Sequence, residues 1–398
     1  MHNDDLEFLN CSNMMEVIEN TLPNPSRAQV AQHLGLSRTA TSMIAQKLIE
    51  GGLIVELEAV KKGRGRPGTP LAVNTNHWHA LGAAYLENAW RFVIVNLGGE
   101  VVESMDLPVP STEPEDLIQT LIEGFTMMRD KSPHALIPAL GVGAPGLVDH
   151  TSGAVLRADD LGWQTEVSFQ QILSEKLDFP VLVMNRYRVN GLAEIRFGNH
   201  KGSHNIIYLG IGTGISGSIY LDRILMNTTN YRLGHIVIDP NGPLCGCGQR
   251  GCLQAMSSEG ALLRYAQKRR EEDSSFLATI KSEALDGHLI TSLAETGNPD
   301  AQECLNHIAE PLAIALSTLA NAIAPDEVII GGPLGDRSTY LVDRVRDLVN
   351  ARLLGWQRLQ MSILKGTQGP LGPAVGAATL VLENKMELLF NSECPSKG

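Results

Sequence analysis

Apolar residues near the N-terminus recur at helical spacing and are interrupted by one short turn. Ser26 can begin a helix, because a serine followed three residues later by glutamine forms a capping box. The turn at residues 35–37 ends this helix, and a second helix runs from Arg38 to about Glu50. A preceding helix at about residues 13–21 adds apolar side chains to the same small core. The pattern predicts a helix-turn-helix.

A basic segment between two short apolar runs follows these helices. The runs at residues 53–57 and 70–73 are typical of strands, and residues 61–67 between them carry four cations and no acid. This order predicts a wing, whose extended Arg64 and Arg66 suit a narrow minor groove of DNA. On the second helix, the side chains that point away from the core and suit the major groove are Arg38, Thr39, Ser42 and Gln46. The alternative is a helical hairpin for protein contact, with a solvated basic loop.

After residue 76 the pattern changes to strands that alternate with helices. The strands are expected at residues 81–86, 92–97 and 101–107, and long helices at residues 165–178, 260–270 and 311–323. Residues 73–78 are expected to be a linker between the two parts. The alternation predicts an α/β body, and a chain of 398 residues allows two or three domains.

Composition and charge limit the class of protein. Hydrophobic residues make up 43% and charged residues 19%, as in ordinary globular proteins. No apolar run approaches the roughly eighteen residues that cross a bilayer, and the acidic N-terminus lacks the features of a signal peptide, so a cytoplasmic protein without a membrane partner is expected. The net charge of −12 argues against broad affinity for nucleic acid, although one basic edge can still bind DNA.

Four potential metal ligands lie close together in the sequence. They are His235, Cys245, Cys247 and Cys252, in a chain with only six cysteines. Glycines at positions 246, 248 and 251 allow the backbone to fold tightly enough for the ligands to converge. One histidine and three cysteines fill a tetrahedral zinc shell, so the segment predicts one structural Zn²⁺ per chain. The alternative is a set of buried, inert thiols in a glycine-rich turn.

This spacing, with Gly-His ahead of it, resembles the zinc signature of the ROK family of sugar kinases and sugar-responsive repressors. The resemblance extends from about Leu81 to Ala378 and includes the glycine-rich segments 141–155, 209–218 and 329–334. It implies a two-lobe, actin-like and ribonuclease-H-like α/β body behind the winged helix-turn-helix. The implied domains are residues 1–75, a first lobe of residues 76–184 with a C-terminal helix at 375–398, and a second lobe of residues 185–374 with the zinc loop.

The chain departs from the kinase pattern at the positions that the resemblance assigns to catalysis. Ala84 stands where the phosphate loop has aspartate, and residues 86–88 replace the Gly-Gly-Thr that follows it. Arg186 stands at the position of the general base, and a guanidinium does not deprotonate at working pH. The resemblance therefore implies a protein that is not an enzyme. An active sugar kinase with an N-terminal extension and a scaffolding pseudokinase are the alternatives.

The sugar site implied by the resemblance is also altered. Its positions are Asp160, Asn185, Arg186, Arg232, His235 and Gln254. Arg186 and Arg232 replace carboxylates and Gln254 replaces glutamate, so the cleft changes from acidic to basic. Paired guanidiniums favour carboxylate or phosphate, which predicts an anionic sugar derivative as the effector. The alternative is that Asp159 and Asp160 pair with these arginines in a collapsed cleft that binds nothing.

The combination resembles ROK regulators of the xylose and N-acetylglucosamine repressor type. It implies a DNA-binding transcriptional regulator, a repressor of carbohydrate-metabolism genes, that responds to a sugar or anionic sugar derivative. Its partners are then a double-stranded DNA operator, a small-molecule effector and a second copy of the chain in a homodimer or homotetramer. Two winged helices of such an assembly are expected to read half-sites about one helical turn apart or a multiple of it.

Overall fold

The computed structural model of the protein describes residues 3–21, 23–58, 69–200, 202–226, 232–278, 280, 284–358 and 360–392. Its N-terminal unit consists of α1 (Asn3–Asn20), α2 (Arg27–Leu34), α3 (Arg38–Glu50), β1 (Ile54–Glu56) and β2 (Leu71–Val73). Ser26 caps α2 in a complete capping box with Gln29, and Gly35 ends that helix at a φ of 65°. The strands β1 and β2 pair antiparallel. The described residues contain the three predicted helices and the predicted pair of short strands, whereas Arg64 and Arg66 lie outside the described residues.

The N-terminal unit packs directly on the body of the protein, and residues 74–77, within the linker predicted at 73–78, form the short connection between β2 and β3. Val73 still belongs to β2, and Trp78 donates from Nε1 to the carbonyl of Gly51 at 2.7 Å. Buried residues of α1, α3 and β1 form one hydrophobic cluster with residues of the first lobe. Burial of this shared apolar surface holds the two units together.

The first lobe contains β3 (Trp78–Leu86), β4 (Ala89–Asn96), β5 (Val101–Pro108), α4 (Pro114–Lys131), β6 (Ala135–Ala144), β7 (Leu147–Val148), β8 (Val155–Arg157), α5 (Phe169–Leu177) and β9 (Val181–Asn185). Its five-stranded sheet has the order β5-β4-β3-β6-β9. The first three strands are antiparallel neighbours, and β6 and β9 are added parallel. The carboxyl ends of β3, β6 and β9 therefore meet at one edge of the sheet.

The second lobe follows helix α6 (Arg186–Phe197) and repeats this topology. It contains β10 (Ile206–Ile211), β11 (Ile215–Leu221), β12 (Ile224–Leu225), α7 (Leu253–Ser257), α8 (Glu259–Glu272), α9 (Gly287–Glu295), α10 (Pro299–Ile323), β13 (Glu327–Gly331), α11 (Gly332–Arg337), α12 (Thr339–Arg352), α13 (Gly355–Arg358) and β14 (Ser362–Lys365). The strand order β12-β11-β10-β13-β14 again has antiparallel neighbours first and parallel neighbours after. Two such lobes are the architecture of the actin-like fold.

Helix α10 is longer than the sequence pattern suggests. It begins at Pro299, not at Pro311, and continues through Pro311. Leu305, Ile308 and Leu312 on its inner face are fully buried. Each such burial contributes about 1.5–3 kcal/mol, which together offset the roughly 3 kcal/mol that an internal proline costs a helix. None of the described helices is both long and apolar enough to span a membrane.

The described part of the chain ends in two helices, where the sequence predicted a single helix at residues 375–398. They are α14 (Gly372–Glu383) and α15 (Lys385–Ser392), which are separated at Asn384. Almost all of α14 is buried against the first lobe. In α15 the ring of Phe390 packs edge-on against Phe8 of α1 at 5.7 Å. The same contact explains why α1 begins at Asn3 rather than near residue 13, because its first turns have a surface to pack on.

Candidate functional site

The four predicted metal ligands converge on one point of the second lobe. His235 ends a 3-10 turn, Cys245 and Cys247 lie in the following loop, and Cys252 precedes α7. All four ligand atoms lie within 4.8 Å of one another. The distance from Cys247 Sγ to Cys252 Sγ is 3.7 Å, and that from Cys245 Sγ to His235 Nδ1 is 3.6 Å. These residues can hold a metal ion.

The spacing of the ligand atoms agrees with a tetrahedral shell and not with disulfides. Zinc–sulfur and zinc–nitrogen bonds of ordinary length place tetrahedral S···S and S···N pairs about 3.8 Å and about 3.6 Å apart. Burial, together with the adjacent Cys247 and Cys245, raises the pKa of Cys252 to about 12. The three sulfurs can therefore all be thiolates at neutral pH only when a cation lies among them. The turn requires glycine at 251, where φ is 64° and a Cβ atom would lie 1.5 Å from the carbonyl oxygen of Asp239.

A cleft of about 380 Å³ lies between the lobes and contains all of the predicted effector residues. At its floor, Asn185 caps α6, because its Oδ1 accepts from the amides of Tyr187 and Arg188. Its Nδ2 donates to the carbonyl of Gly146 at 2.6 Å, which leaves one amide hydrogen of the side chain for a ligand. At the wall, Gln254 Oε1 accepts from the amide of Ile215 at 3.2 Å.

Arg186 crosses the floor of the cleft and is held from both lobes. Its Nη2 lies 2.5 Å from Asp160 Oδ2 in the first lobe and 3.0 Å from Thr213 Oγ1 in the second. Burial alone would lower the pKa of Arg186, but the Asp160 carboxylate raises it above its ordinary value. The side chain is 5% exposed, so this cation is a permanent feature of the cleft.

Arginines outnumber acids in the cleft, and pairing with aspartate does not collapse it. The charged lining residues are Arg157, Arg186, Arg188, Arg232, Asp159 and Asp160, which leaves two positive charges in excess. Asp159 pairs with Arg157, not with either of the predicted arginines. Arg232 is exposed at the rim and has no ion pair with a described residue. The sequence analysis missed Arg157 and Arg188, although Arg188 is two residues from Arg186.

One contact joins the cleft to the metal loop across the two lobes. Arg157 Nη2 donates to the carbonyl of Gly246 at 2.7 Å, between Cys245 and Cys247. A Cβ atom on the same glycine would lie 3.2 Å from the Cβ of Asp159. The position of the metal loop and the closure of the cleft mouth therefore depend on each other.

Helix α3 has one solvent-exposed face. Arg38, Thr39 and Gln46 are exposed and Ser42 is half-buried, whereas Thr41, Ile44, Ala45 and Leu48 are buried. The same face carries Met43, which is 69% exposed and was missed by the sequence analysis. An exposed apolar side chain at that position suits a contact with a thymine methyl group. The apolar-polar period of the helix would have identified it.

Residues 87–384 match the sequence profile of the ROK family. The chain belongs to the ROK family. The xylose repressor of Bacillus subtilis (strain 168) is 25% identical over 393 residues, which cover 97% of this chain and 98% of the repressor. The glucokinase of Streptomyces coelicolor is 29% identical over 304 residues, which cover 73% of this chain and 93% of the glucokinase.

A solved structure of a ROK family transcriptional regulator, a homologue of the Escherichia coli Mlc protein, resembles this ROK chain over almost its whole length. The TM-score is 0.80 at 23% sequence identity, with 97% of this chain and 98% of that chain covered. The likeness confirms the fold class, including the helices at the N-terminus and the two-lobe body.

In this ROK chain a glutamate occupies the turn between β3 and β4, beside the edge where the two lobes meet. Glu87 has a φ of 49°, and its carboxylate lies 2.6 Å from Arg91 and 2.6 Å from Arg337 of the second lobe. Burial would raise the pKa of Glu87, but Arg337 and Arg91 lower it, so the group is a carboxylate at neutral pH. Ala84, on β3, is fully buried.

Proposed function

We propose that this protein is a sugar-responsive transcriptional repressor of carbohydrate-metabolism genes that binds a duplex DNA operator as a homodimer or homotetramer. The observation that carries the proposal is the exposed face of α3 on a winged helix that shares one hydrophobic core with a cleft-bearing lobe. The similarity to a xylose repressor over 97% of the chain supports it, since similarity to a glucokinase covers only 73%. Arg38, Thr39, Ser42 and Gln46 contact base edges, and Arg64 and Arg66 enter the minor groove.

A gel-shift experiment on the DNA upstream of the protein's own gene tests the proposal. A repressor is expected to retard this fragment at nanomolar concentration in moderate salt, and to release it as salt rises. A winged helix that serves protein contact would retard neither this fragment nor any competitor.

The metal of the His-Cys₃ centre is Zn²⁺ in a structural role. Its four protein ligands close the tetrahedral shell and leave no position for a catalytic water. When bound, the ion supplies the positive charge that three adjacent thiolates require. The chain's own contribution is to fix the loop at whose centre the Gly246 carbonyl meets Arg157 of the first lobe.

The cleft does not catalyse phosphoryl transfer. No general base stands at the position of Arg186, which is a buried guanidinium paired with Asp160. Glu87 presents a negative charge where the resemblance places the nucleotide phosphates, and its pairs with Arg91 and Arg337 are already formed. Because Glu87 already engages both arginines, neither guanidinium is free to bind a nucleotide phosphate.

A coupled assay of ATP consumption is expected to show no turnover above background over a panel of neutral hexoses and pentoses. The reason is that a missing positioned base costs about 10²–10⁴-fold on its own. The positive control is an active ROK glucokinase in the same assay. Sugar-dependent turnover by this protein, lost in Arg186→Ala, would establish the kinase alternative instead.

The effector is an anionic sugar derivative, with its charged group at Arg232. Arg186 already has Asp160 as its partner, whereas Arg232 has no ion pair among the described residues, so its guanidinium is available at the rim. His235 and the remaining amide hydrogen of Asn185 are left to contact the sugar hydroxyls.

Thermal-shift measurements with matched pairs of probes test the effector class. We expect glucose 6-phosphate or glucuronate to raise the melting temperature by more than glucose or xylose at equal concentration, because binding to the folded state adds stability. This increase in melting temperature is expected to be smaller in Arg232→Ala. It is expected to be unchanged in Arg129→Ala, which removes an exposed arginine of α4 outside the cleft. Stabilisation by neutral sugars alone, unchanged in Arg232→Ala, would contradict the assignment.

A further inference from the structure

Helix α6 connects the cleft to the winged helix. At its first residue, Arg186 is paired with Asp160 in the cleft. In its last turn, Arg196 Nη2 lies 2.5 Å from the carboxylate of Glu19 on α1. Ten residues at 1.5 Å each separate the two ends, so α6 spans about 15 Å between the candidate effector site and the candidate DNA-binding unit.

The contact at the α1 end is a shielded network of charges. Glu19 is 10% exposed and receives both Arg196 and Lys385 of α15, the latter at 2.9 Å. Burial alone would raise the pKa of Glu19, but Lys385 and Arg196 lower it, so it is ionised at neutral pH. Arg196 also lies 3.5 Å from Glu383 of α14. Ion pairs that are shielded from water are stronger than exposed ones. We therefore expect a displacement of α6 to displace α1 as well.

The middle of α6 is approached closely by α14 and by β11 at two glycines. A Cβ atom on Gly376 of α14 would lie 1.8 Å from the carbonyl oxygen of Val189. On the opposite side, a Cβ atom on Gly191 would lie 2.1 Å from Ser218 Oγ of β11. The two glycines therefore allow close packing of α6 against both lobes, and we infer that a change in the angle between the lobes displaces this helix.

Helix α1 in turn supports α3. Lys47 of α3 lies 2.6 Å from Glu7 of α1, and Met14, Met15 and Leu48 are buried in the cluster that joins the two helices. A displacement of α1 therefore changes the position of the exposed face of α3 relative to the first lobe. In an assembly of two copies, that change alters the separation of the two α3 helices.

We propose that α6 transmits the state of the cleft to α3, and that Arg196 is the positioning residue that ties α1 to α6 through Glu19. A ligand that competes for Arg186 or Asp160 changes the first turn of α6, and the rigid helix moves α1 at its other end. Coupling between the cleft and α3 is measured as a free energy. Removing the contact at Arg196 is expected to abolish this coupling free energy, while the residues of the cleft and of α3 stay unchanged. The inference rests on the proposed function for its effect on operator binding.

The test is a double-mutant cycle between the two ends of α6. Asp160→Asn removes the charge at the cleft end, and Arg196→Ala removes the contact with α1. Sites separated by the length of α6 are expected to act independently unless the helix couples them. Hydrogen exchange of the α1 and α3 amides is measured on the full-length protein, together with affinity for the upstream DNA fragment. With Arg196 present, we expect Asp160→Asn to change the exchange rates and the DNA affinity by roughly threefold or more. In the Arg196→Ala background, the expected change in each quantity is less than about 1.5-fold.

Three further variants make the result specific. Arg196→Lys keeps the charge and is expected to restore most of the response, which a purely steric role would not. Glu19→Gln keeps the shape of the partner and is expected to abolish the response; because it leaves Lys385 without its carboxylate, the exchange is compared below the melting temperature of the variant. Arg352→Ala is the matched control, because it removes an arginine from the last turn of α12, where its partner is Glu310 at 2.7 Å, and should leave the response unchanged.

The exchange measurement separates this inference from the function. A response of the α1 amides to Asp160→Asn that persists in both Arg196→Ala and Glu19→Gln overturns the role of α6. A response that these variants abolish, in a protein that binds no DNA, supports the role of α6 and contradicts the proposed repressor function.

Discussion

The Arg38→Ala variant is expected to bind the operator about 10- to 100-fold more weakly than the wild-type protein, because a bidentate contact of arginine with a base contributes about 1–3 kcal/mol. Arg38 is the first residue of α3, exposed, and positioned by the Ser37 cap, so it is at the end of the helix that enters a major groove first. The measurement is a titration of the upstream DNA fragment at fixed salt, repeated with the wild-type protein.

The control is chosen to separate base contact from general charge. Arg129→Ala removes one exposed positive charge from α4 and should leave the affinity for the operator within about twofold. Arg38→Ala is expected to lose the preference for one base at one position of the operator. Loss of a phosphate contact would instead weaken binding to all fragments equally. An affinity of Arg38→Ala equal to that of the wild type would remove α3 from the interface and favour protein contact.

Purified protein is expected to contain about one zinc per chain, and Cys247→Ser is expected to lose most of it. The loss of a structural zinc removes folding energy, so the melting temperature should fall by at least about 5 °C. The response to the cleft ligand should weaken as well, because the Gly246 carbonyl of the released loop no longer holds Arg157 of the first lobe. Metal analysis and calorimetry measure the two effects independently.

Cys11→Ser is the matched control, since Cys11 is a buried thiol of α1 outside the cluster. It is expected to lose stability through its apolar surroundings but to keep one zinc per chain. A Cys247→Ser protein that retains both its zinc and its melting temperature would show that the four residues are a buried turn and not a metal centre.

Features that depend on neighbouring residues could be predicted from the sequence. The capping box of Ser26 and Gln29 and the left-handed Gly35 define the helix-turn-helix within ten positions, and the structure has both. The clustering of His235 with three cysteines predicted their convergence for the same reason. The residue exchanges at Ala84 and Arg186 indicated a changed cleft, and its consequences for catalysis and for the effector remain predictions.

Tertiary structure decided the features that depend on residues far apart in the chain. Asp160 meets Arg186 because β8 and α6 approach the same cleft, and sequence reasoning could name this pair only as one of two outcomes. Phe390 extends α1 to Asn3, and the buried face of α10 carries the helix through Pro311. A periodic pattern reports which side of an element is buried, but not what covers it, so the docked winged helix and the contact of Arg196 with Glu19 follow only from the packing.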